Sequence, residues 1–171
     1  CISEQKCGLC TKVCKQQALL FGEEKIWGID RSKCIGCTQC VEACPSEAIK
    51  RWGEHMTVEE VMKVIEKDRK YYERSGGGMT VSGGDPLVQH EFTRELLKAS
   101  REAGIHTCLE STFYADWDIV ADTVQYADLL ISDVKHMDSE IHKKYTGMGC
   151  EQILDNLAHL AREGHEMILR I

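Results

Sequence analysis

No stretch of the 171 residues is apolar over anything near the roughly 20 positions a membrane-spanning helix requires. These residues contain no basic-then-apolar export signal, and none is expected. Positive charge is in deficit too: 21 Lys and Arg face 28 Asp and Glu, for a formal net charge of -7 and a pI near 5.5. Neither nucleic acid nor a membrane surface is therefore an expected partner, because both attract a basic face. A cytoplasmic location is the expectation. Cysteine is almost missing beyond residue 44, where only Cys108 and Cys150 occur. The other eight of the ten lie between Cys1 and Cys44, and this asymmetry predicts a domain boundary. In a chain without export signals thiols stay reduced, so cysteines this close argue for metal rather than for disulfides.

The second run reads Cys34-Ile-Gly-Cys37-Thr-Gln-Cys40-Val-Glu-Ala-Cys44-Pro45, the C-x2-C-x2-C-x3-C-P spacing of bacterial ferredoxins. Two-residue gaps let three thiolates from one turning loop grip three corners of a cubane, and Pro45 sets the chain direction after the fourth. The first run, Cys1-x5-Cys7-x2-Cys10-x3-Cys14, ends with the same gaps and makes an internal repeat. In two-cluster ferredoxins the fourth cysteine of each run serves the other cluster. By that pattern Cys1, Cys7, Cys10 and Cys44 hold one [4Fe–4S] cluster, and Cys34, Cys37, Cys40 and Cys14 hold the other. Zinc also accepts four thiolates, but usually from two separated C-x2-C pairs. Between the runs, Leu19 to Asp30 reads as a short hairpin turning at Gly22-Glu23-Glu24-Lys25, and Cys44 to Ile49 as a brief helix start.

From Thr57 the pattern changes to alternating helices and strands. Thr57 and Glu60 form a capping box for a long amphipathic helix reaching Tyr71 and Tyr72. Strands are expected at 79–82, 106–110, 129–135 and 167–171, with helices after Pro86, at 117–126 and at 151–162. The run from Lys143 to Gly147 is expected as a loop and cap. Such alternation demands a parallel sheet, either doubly wound or part of a barrel, and four strands cannot close a barrel of eight. Starting on a cluster cysteine and stopping inside a strand, the chain is expected to be a fragment.

In parallel α/β folds functional groups gather at the carboxyl ends of strands. Three ends stand out. Ser82-Gly83-Gly84-Asp85-Pro86 combines close backbone approach with an acceptor for an ammonium group, or is simply a turn. Glu110-Ser111-Thr112 is a polar strand end, or a helix cap. Asp133-Val134-Lys135 puts a carboxylate and an ammonium on one strand face, where an internal salt bridge is the plainer reading. Cys108 is expected to be a small buried hydrophobe and Cys150 a helix-start residue, and the seven histidines show no metal-ligand spacing.

Taken together, the two cysteine runs, Gly77 to Leu87, Gly104 to Glu110, Asp133-Val134-Lys135-His136-Met137, His142 to Gly147 and Leu169-Arg170-Ile171 resemble the activating enzymes of glycyl radical enzymes. These form a radical S-adenosylmethionine family, and the resemblance is to the branch with an inserted two-cluster ferredoxin-like domain. It implies an α/β fold in which a partial parallel (β/α) barrel at 54–171 carries a ferredoxin-like domain at 1–53. It implies that a third, site-differentiated [4Fe–4S] cluster cleaves S-adenosylmethionine, and that the resulting 5′-deoxyadenosyl radical takes hydrogen from a glycine of a partner glycyl radical enzyme. Gly83, Gly84 and Asp85 would then meet the amino group of the cofactor, and Lys135 and Arg170 its carboxylate or other polar groups. Glu110, Ser111 and Asp133 would form a polar or monovalent-cation site. The two accessory clusters would relay electrons from a donor such as flavodoxin or ferredoxin, or dock the partner.

Two departures matter. Asp85 stands where the family usually has Glu, and the radical-cluster motif C-x3-C-x2-C is absent: Gln17 and Glu47 occupy the positions where its last cysteine would fall. The family's motif lies upstream of the inserted domain, so these residues alone are expected to bind about eight irons and to make no 5′-deoxyadenosine. Accessory clusters point away from the pyruvate formate-lyase activase, toward activases of enzymes acting on diols, choline, aromatic acids or sulfonates. The alternatives are a ferredoxin-type electron-transfer protein whose α/β body does not use S-adenosylmethionine, and a scaffold braced by its clusters.

Overall fold

The two cysteine runs fold into the same local shape. A computed structural model describes residues 1, 6–22 and 26–171, which form two compact units, Cys1–His55 and Met56–Ile171. In the first unit a short helix α1 (Leu9–Val13) carries Cys10, and its counterpart α2 (Gln39–Glu42) carries Cys40. Each is entered through a residue in the left-handed region, Gly8 (φ 55°) and Thr38 (φ 60°). Three residues past the last cysteine of each run, Gln17 and Glu47 both adopt φ 48°. That reversal aims a following amide back at sulfur: Ala18 N–H donates to Cys14 Sγ (3.4 Å) and Ala48 N–H to Cys44 Sγ (3.3 Å). Strands β1 (Leu19–Phe21) and β2 (Ile26–Ile29) pair antiparallel with Leu19 opposite Ile29, as a hairpin requires. Glu23, Glu24 and Lys25 of its expected turn lie outside the described residues. The helix expected to start at Cys44 is instead a turn, because the amide of Glu47 bonds back to Cys44 O and the left-handed Glu47 stops propagation.

The second unit begins with the capping box. Thr57 Oγ1 accepts from Glu60 N (3.3 Å) while Thr57 N donates to Glu60 Oε2 (2.8 Å), starting α3 (Val58–Ile65). The expected single helix is broken by a 3-10 turn at Glu66–Asp68 before α4 (Arg69–Ser75). At the break the Arg69 amide bonds to Glu66 O, an i,i+3 closure tighter than an α turn, while the Arg69 guanidinium reaches back to the Glu66 carboxylate and across to Ala103 O (3.0 Å). Strand β3 (Gly78–Val81) follows, and then a 3-10 turn (Pro86–Gln89) leads into α5 (His90–Glu102). Next come β4 (His106–Glu110), α6 (Trp117–Val124) and β5 (Leu129–Asp133). The run expected as a loop is a helix, α7 (Ser139–Thr146): Asp138 caps it by accepting from Ile141 N (3.0 Å), and Gly147 (φ 90°) ends it. Helix α8 (Glu151–Arg162) and β6 (Met167–Arg170) complete the described elements.

All four strands of the second unit are parallel and their order is β3-β4-β5-β6. A doubly wound sheet reverses its strand order to place helices on both faces. An unreversed order with right-handed crossovers keeps the helices on one face, as in an arc of a barrel. Side-chain alternation agrees. Met79, Leu109, Leu130 and Met167 face a core shared with Leu97, Val120, Leu157 and Leu160. Leu97, Leu109, Leu130 and Leu160 are essentially fully buried, and each contributes roughly 1.5–3 kcal/mol by leaving water. The register rows Thr80-Cys108-Leu129, Glu110-Ile131-Ile168 and Asp133-Arg170 lie on the opposite face. Gly78 has no substitute at the strand start, since a Cβ there would sit 1.8 Å from His106 O.

Candidate functional site

Two groups of chemistry-bearing residues take shape, one in each unit. In the first, a cavity of about 200 Å³ is lined by Cys14, Cys34, Cys37 and Cys40, with Ala18, Leu19, Ile29 and Ile35 as apolar wall. A second, of about 20 Å³, is lined by Cys1, Cys7, Cys10 and Cys44 with Phe21, Ile26 and Ala48. Each cavity thus collects three cysteines of one run and the fourth of the other, the grouping the ferredoxin pattern specifies.

The donor set suits a cluster. Among the described residues no three Cys, His, Asp or Glu side chains converge on a single metal ion. A zinc ion about 2.3 Å from each sulfur would draw four thiolates close together, whereas a cubane spreads them over four corners of a larger body. The backbone of the second run stabilises a thiolate: amides including that of Ile49, with the Ser46 hydroxyl, bring the Cys44 thiol down to about 7. Cys40 moves the other way, because burial raises its thiol, with the neighbouring Cys14, Cys37 and Cys34 adding to the effect.

In the second unit the strand ends converge. Beyond β3, Gly83 (φ 91°) and Gly84 (φ 63°) occupy the left-handed region, which an L side chain rarely adopts, and they turn the backbone sharply before Asp85. The Asp85 carboxylate is taken up within the chain. Its Oδ1 accepts from Leu87 N (3.0 Å) and Ser111 Oγ (2.8 Å), and its Oδ2 from Thr112 N (3.0 Å) and Thr112 Oγ1 (2.5 Å). The loop beyond β3 is thereby tied to the loop beyond β4.

From Glu110, one residue before Ser111, an ion-pair chain crosses the remaining strands. Arg170 on β6 donates to Glu110 Oε1 and to Asp133 Oδ1 (2.5 Å), and Lys135 donates to Asp133 Oδ2 (2.7 Å). Lys135 and Arg170 together hold the Asp133 carboxyl below its ordinary range, and Asp133 and Glu110 raise the Arg170 guanidinium. Lys135 is 60% exposed and Arg170 49%, so solvent screens these pairs and each is weak. A ligand carrying both an ammonium and a carboxylate can replace these contacts at small cost.

All eight strand-end positions singled out from the sequence, Gly83, Gly84, Asp85, Glu110, Ser111, Asp133, Lys135 and Arg170, therefore lie along one connected path. Sequence reading missed what braces it. Phe113 is fully buried at φ 56°, a strained conformation for an aromatic residue. Asn156 of α8, also buried, donates to Phe113 O (2.8 Å) and Ala115 O (2.9 Å). Nothing in a helix reading Glu151 to Arg162 marks Asn156 apart from its being a polar residue on the apolar stripe, one position before Leu157. Cys108 is buried as expected, Cys150 stands at the start of α8 as expected and is buried as well, and His142 is buried against Met148 O (2.6 Å).

Comparison with known proteins follows the same division. Residues 32–171 match the radical SAM superfamily, and residues 1–55 match a 4Fe-4S dicluster domain. The chain is 53% identical over 172 residues to the (2S)-3-sulfopropanediol dehydratase activating enzyme of Klebsiella oxytoca, a match covering 100% of this chain and 54% of that protein. It is 40% identical over 164 residues to the isethionate sulfite-lyase activating enzyme of Nitratidesulfovibrio vulgaris, covering 95% and 53%. Among solved structures, a domain of pyruvate-formate lyase-activating enzyme from Bacteroides vulgatus is similar at a TM-score of 0.52 and 34% identity, covering 56% of this chain and 59% of that one. The chain spans about half the length of the curated relatives it matches.

Proposed function

The chain belongs to the radical SAM superfamily, and from that membership we propose that it is part of an activase that installs a glycyl radical on a partner enzyme. The observation that carries the reading is the connected path of strand-end residues, in which both charge signs meet at the mouth of a parallel sheet. A sulfonium cofactor with ammonium and carboxylate ends calls for that arrangement. When bound, S-adenosylmethionine and a reduced site-differentiated [4Fe–4S] cluster supply the 5′-deoxyadenosyl radical that takes hydrogen from glycine.

The residues of this chain bind and orient. Carbonyls of the Gly83-Gly84 turn accept from the cofactor's ammonium, and Lys135 and Arg170 exchange their carboxylate partners for that of the cofactor. Glu110 and Asp133 are then free to take a monovalent cation, with the remaining lone pair of the Ser111 hydroxyl beside them. Cys1, Cys7, Cys10 and Cys44 hold one accessory cluster, and Cys14, Cys34, Cys37 and Cys40 the other. An electron donor such as flavodoxin or ferredoxin would serve these clusters.

The 53% identity to the activating enzyme of a sulfopropanediol dehydratase, against 40% to that of a choline trimethylamine-lyase, supports a sulfopropanediol dehydratase as the partner. The test is reconstitution. The iron-loaded full-length protein is incubated anaerobically with S-adenosylmethionine, a strong reductant and either a sulfopropanediol dehydratase or a choline lyase. The expected result is a glycyl-radical doublet in the electron paramagnetic resonance spectrum of the sulfonate enzyme. A doublet only on the choline enzyme would reassign the partner, and consumption of S-adenosylmethionine without any protein radical would overturn the activase reading.

A further inference from the structure

We propose that Asp85 is a positioning residue, whose carboxylate clamps the loop beyond β3 to the loop beyond β4 instead of meeting the cofactor itself. The proposal deepens the activase reading and rests on it. A carboxylate offers about four lone-pair sites, and here four donors fill them: two amides and two hydroxyls, all from the chain. An ammonium group arriving at the Gly83-Gly84 turn is then met by peptide carbonyls. What Asp85 sets is the separation between that turn and Ser111, and through Ser111 the placement of Glu110 and of Arg170 beyond it.

The clamp is one half of a double anchorage. Behind it, Ser111 Oγ accepts from Phe113 N (3.0 Å), and Asn156 holds the carbonyls of Phe113 and Ala115. The loop is thus pinned from both sides, and between the pins Phe113 is kept at a left-handed φ of 56°. Strain of this kind persists only where the surroundings over-determine the backbone. A loop held that firmly presents Ser111 and Glu110 in one arrangement.

The geometry makes an unusual demand on substitutions. Each carboxylate oxygen faces one backbone N–H, Leu87 at Oδ1 and Thr112 at Oδ2. Whichever way the amide of Asp85→Asn is turned, its NH2 opposes an N–H, so the isosteric variant breaks the clamp. Ser111→Ala combined with Thr112→Val removes the two hydroxyl donors from the other side and leaves the charge of Asp85 in place.

The test uses the iron-loaded protein at its full natural length, with two readouts. The first is hydrogen exchange at residues 110–114 without added S-adenosylmethionine, and the second is the dissociation constant for S-adenosylmethionine by equilibrium dialysis at a temperature where every variant is folded. Asp85→Asn and the Ser111→Ala, Thr112→Val pair are each expected to speed exchange at Thr112 and Phe113 by about tenfold or more and to weaken binding by about 10- to 100-fold, the scale of losing hydrogen bonds to a charged group that is only partly shielded from water. The triple variant is expected to be no weaker than Asp85→Asn, because all three changes break one tie. Weakened binding with unchanged exchange would show the carboxylate acting directly on the ligand and would overturn the proposal. So would faster exchange with unchanged binding, which reduces the clamp to a structural tie, and so would strictly additive losses in the triple variant. Failure of the unmodified protein to bind S-adenosylmethionine would overturn the activase reading and the proposal together, whereas normal binding left unmoved by Asp85→Asn would overturn the proposal alone.

Discussion

Replacing Phe113 tests whether the loop beyond β4 is held under strain, because two effects of opposite sign meet at that residue. Its ring is fully buried, so Phe113→Ala is expected to lose about 3–5 kcal/mol through the vacated space and lost burial. Its φ of 56° is costly for any residue with a Cβ, by about 1–2 kcal/mol in the left-handed region. Phe113→Gly loses the same ring but escapes that cost, while its freer unfolded chain takes back about 0.4–1 kcal/mol. Glycine should therefore be more stable than alanine here by roughly 0.5–1 kcal/mol, the reverse of their usual order within a helix or strand. At a urea dependence of about 2 kcal/mol per molar the two midpoints would differ by about 0.3–0.5 M. The measurement is urea unfolding of the iron-loaded variants followed by far-ultraviolet ellipticity, with cluster absorbance tracked separately because two units need not unfold together. A glycine variant equal to or less stable than the alanine variant would refute the strain.

Cross-ligation of the clusters has a combinatorial signature: Cys14→Ser and Cys44→Ser should each lose about four of about eight irons. Cys44→Ser with Cys10→Ser should still keep about four, and Cys44→Ser with Cys40→Ser close to none. Ligation within each run would exchange those two outcomes. For Arg170→Gln the sign follows from Asp133, whose carboxyl is depressed first by Lys135 and then by Arg170. A depressed carboxylate stabilises the fold above its ordinary value near 3.8 and loses that contribution as pH falls through the lowered one. Without Arg170 that contribution should be smaller and its loss complete at a higher pH, and a carbon-detected titration of Asp133 should move up but stay below the ordinary value because Lys135 remains. A midpoint that stays put or falls would contradict the pairing.

Much of the second unit was legible because its signals are local. Glu151 to Arg162 shows helical periodicity over three turns and was expected at those bounds. Helix α7 was missed because its cap, Asp138, sits five residues before the Lys143-Gly147 run that looked like a loop, and its short apolar face rests on Ile141 and a buried His142. The break between α3 and α4 was equally hidden, and the side chain beside it, Arg69, bonds to Ala103, 34 positions away.

By itself the sequence determined the ligand types and the alternation. Two-residue cysteine gaps, capping boxes and 3.6-residue apolar periods are short-range properties that survive in a string of letters. The string also placed Gly83-Gly84-Asp85, Glu110-Ser111 and Asp133-Lys135 at strand ends. Only the tertiary structure decided which of them touch. Strand order is a long-range choice, and the β3-β4-β5-β6 order is what brings Arg170 beside Glu110 and Asp133. It also decided what Asp85 meets within the chain: its carboxylate accepts from Ser111, Thr112 and Leu87. Hydrogen bonds are satisfied by whatever donors folding brings near, and sequence spacing carries no record of a donor 26 or 27 residues away.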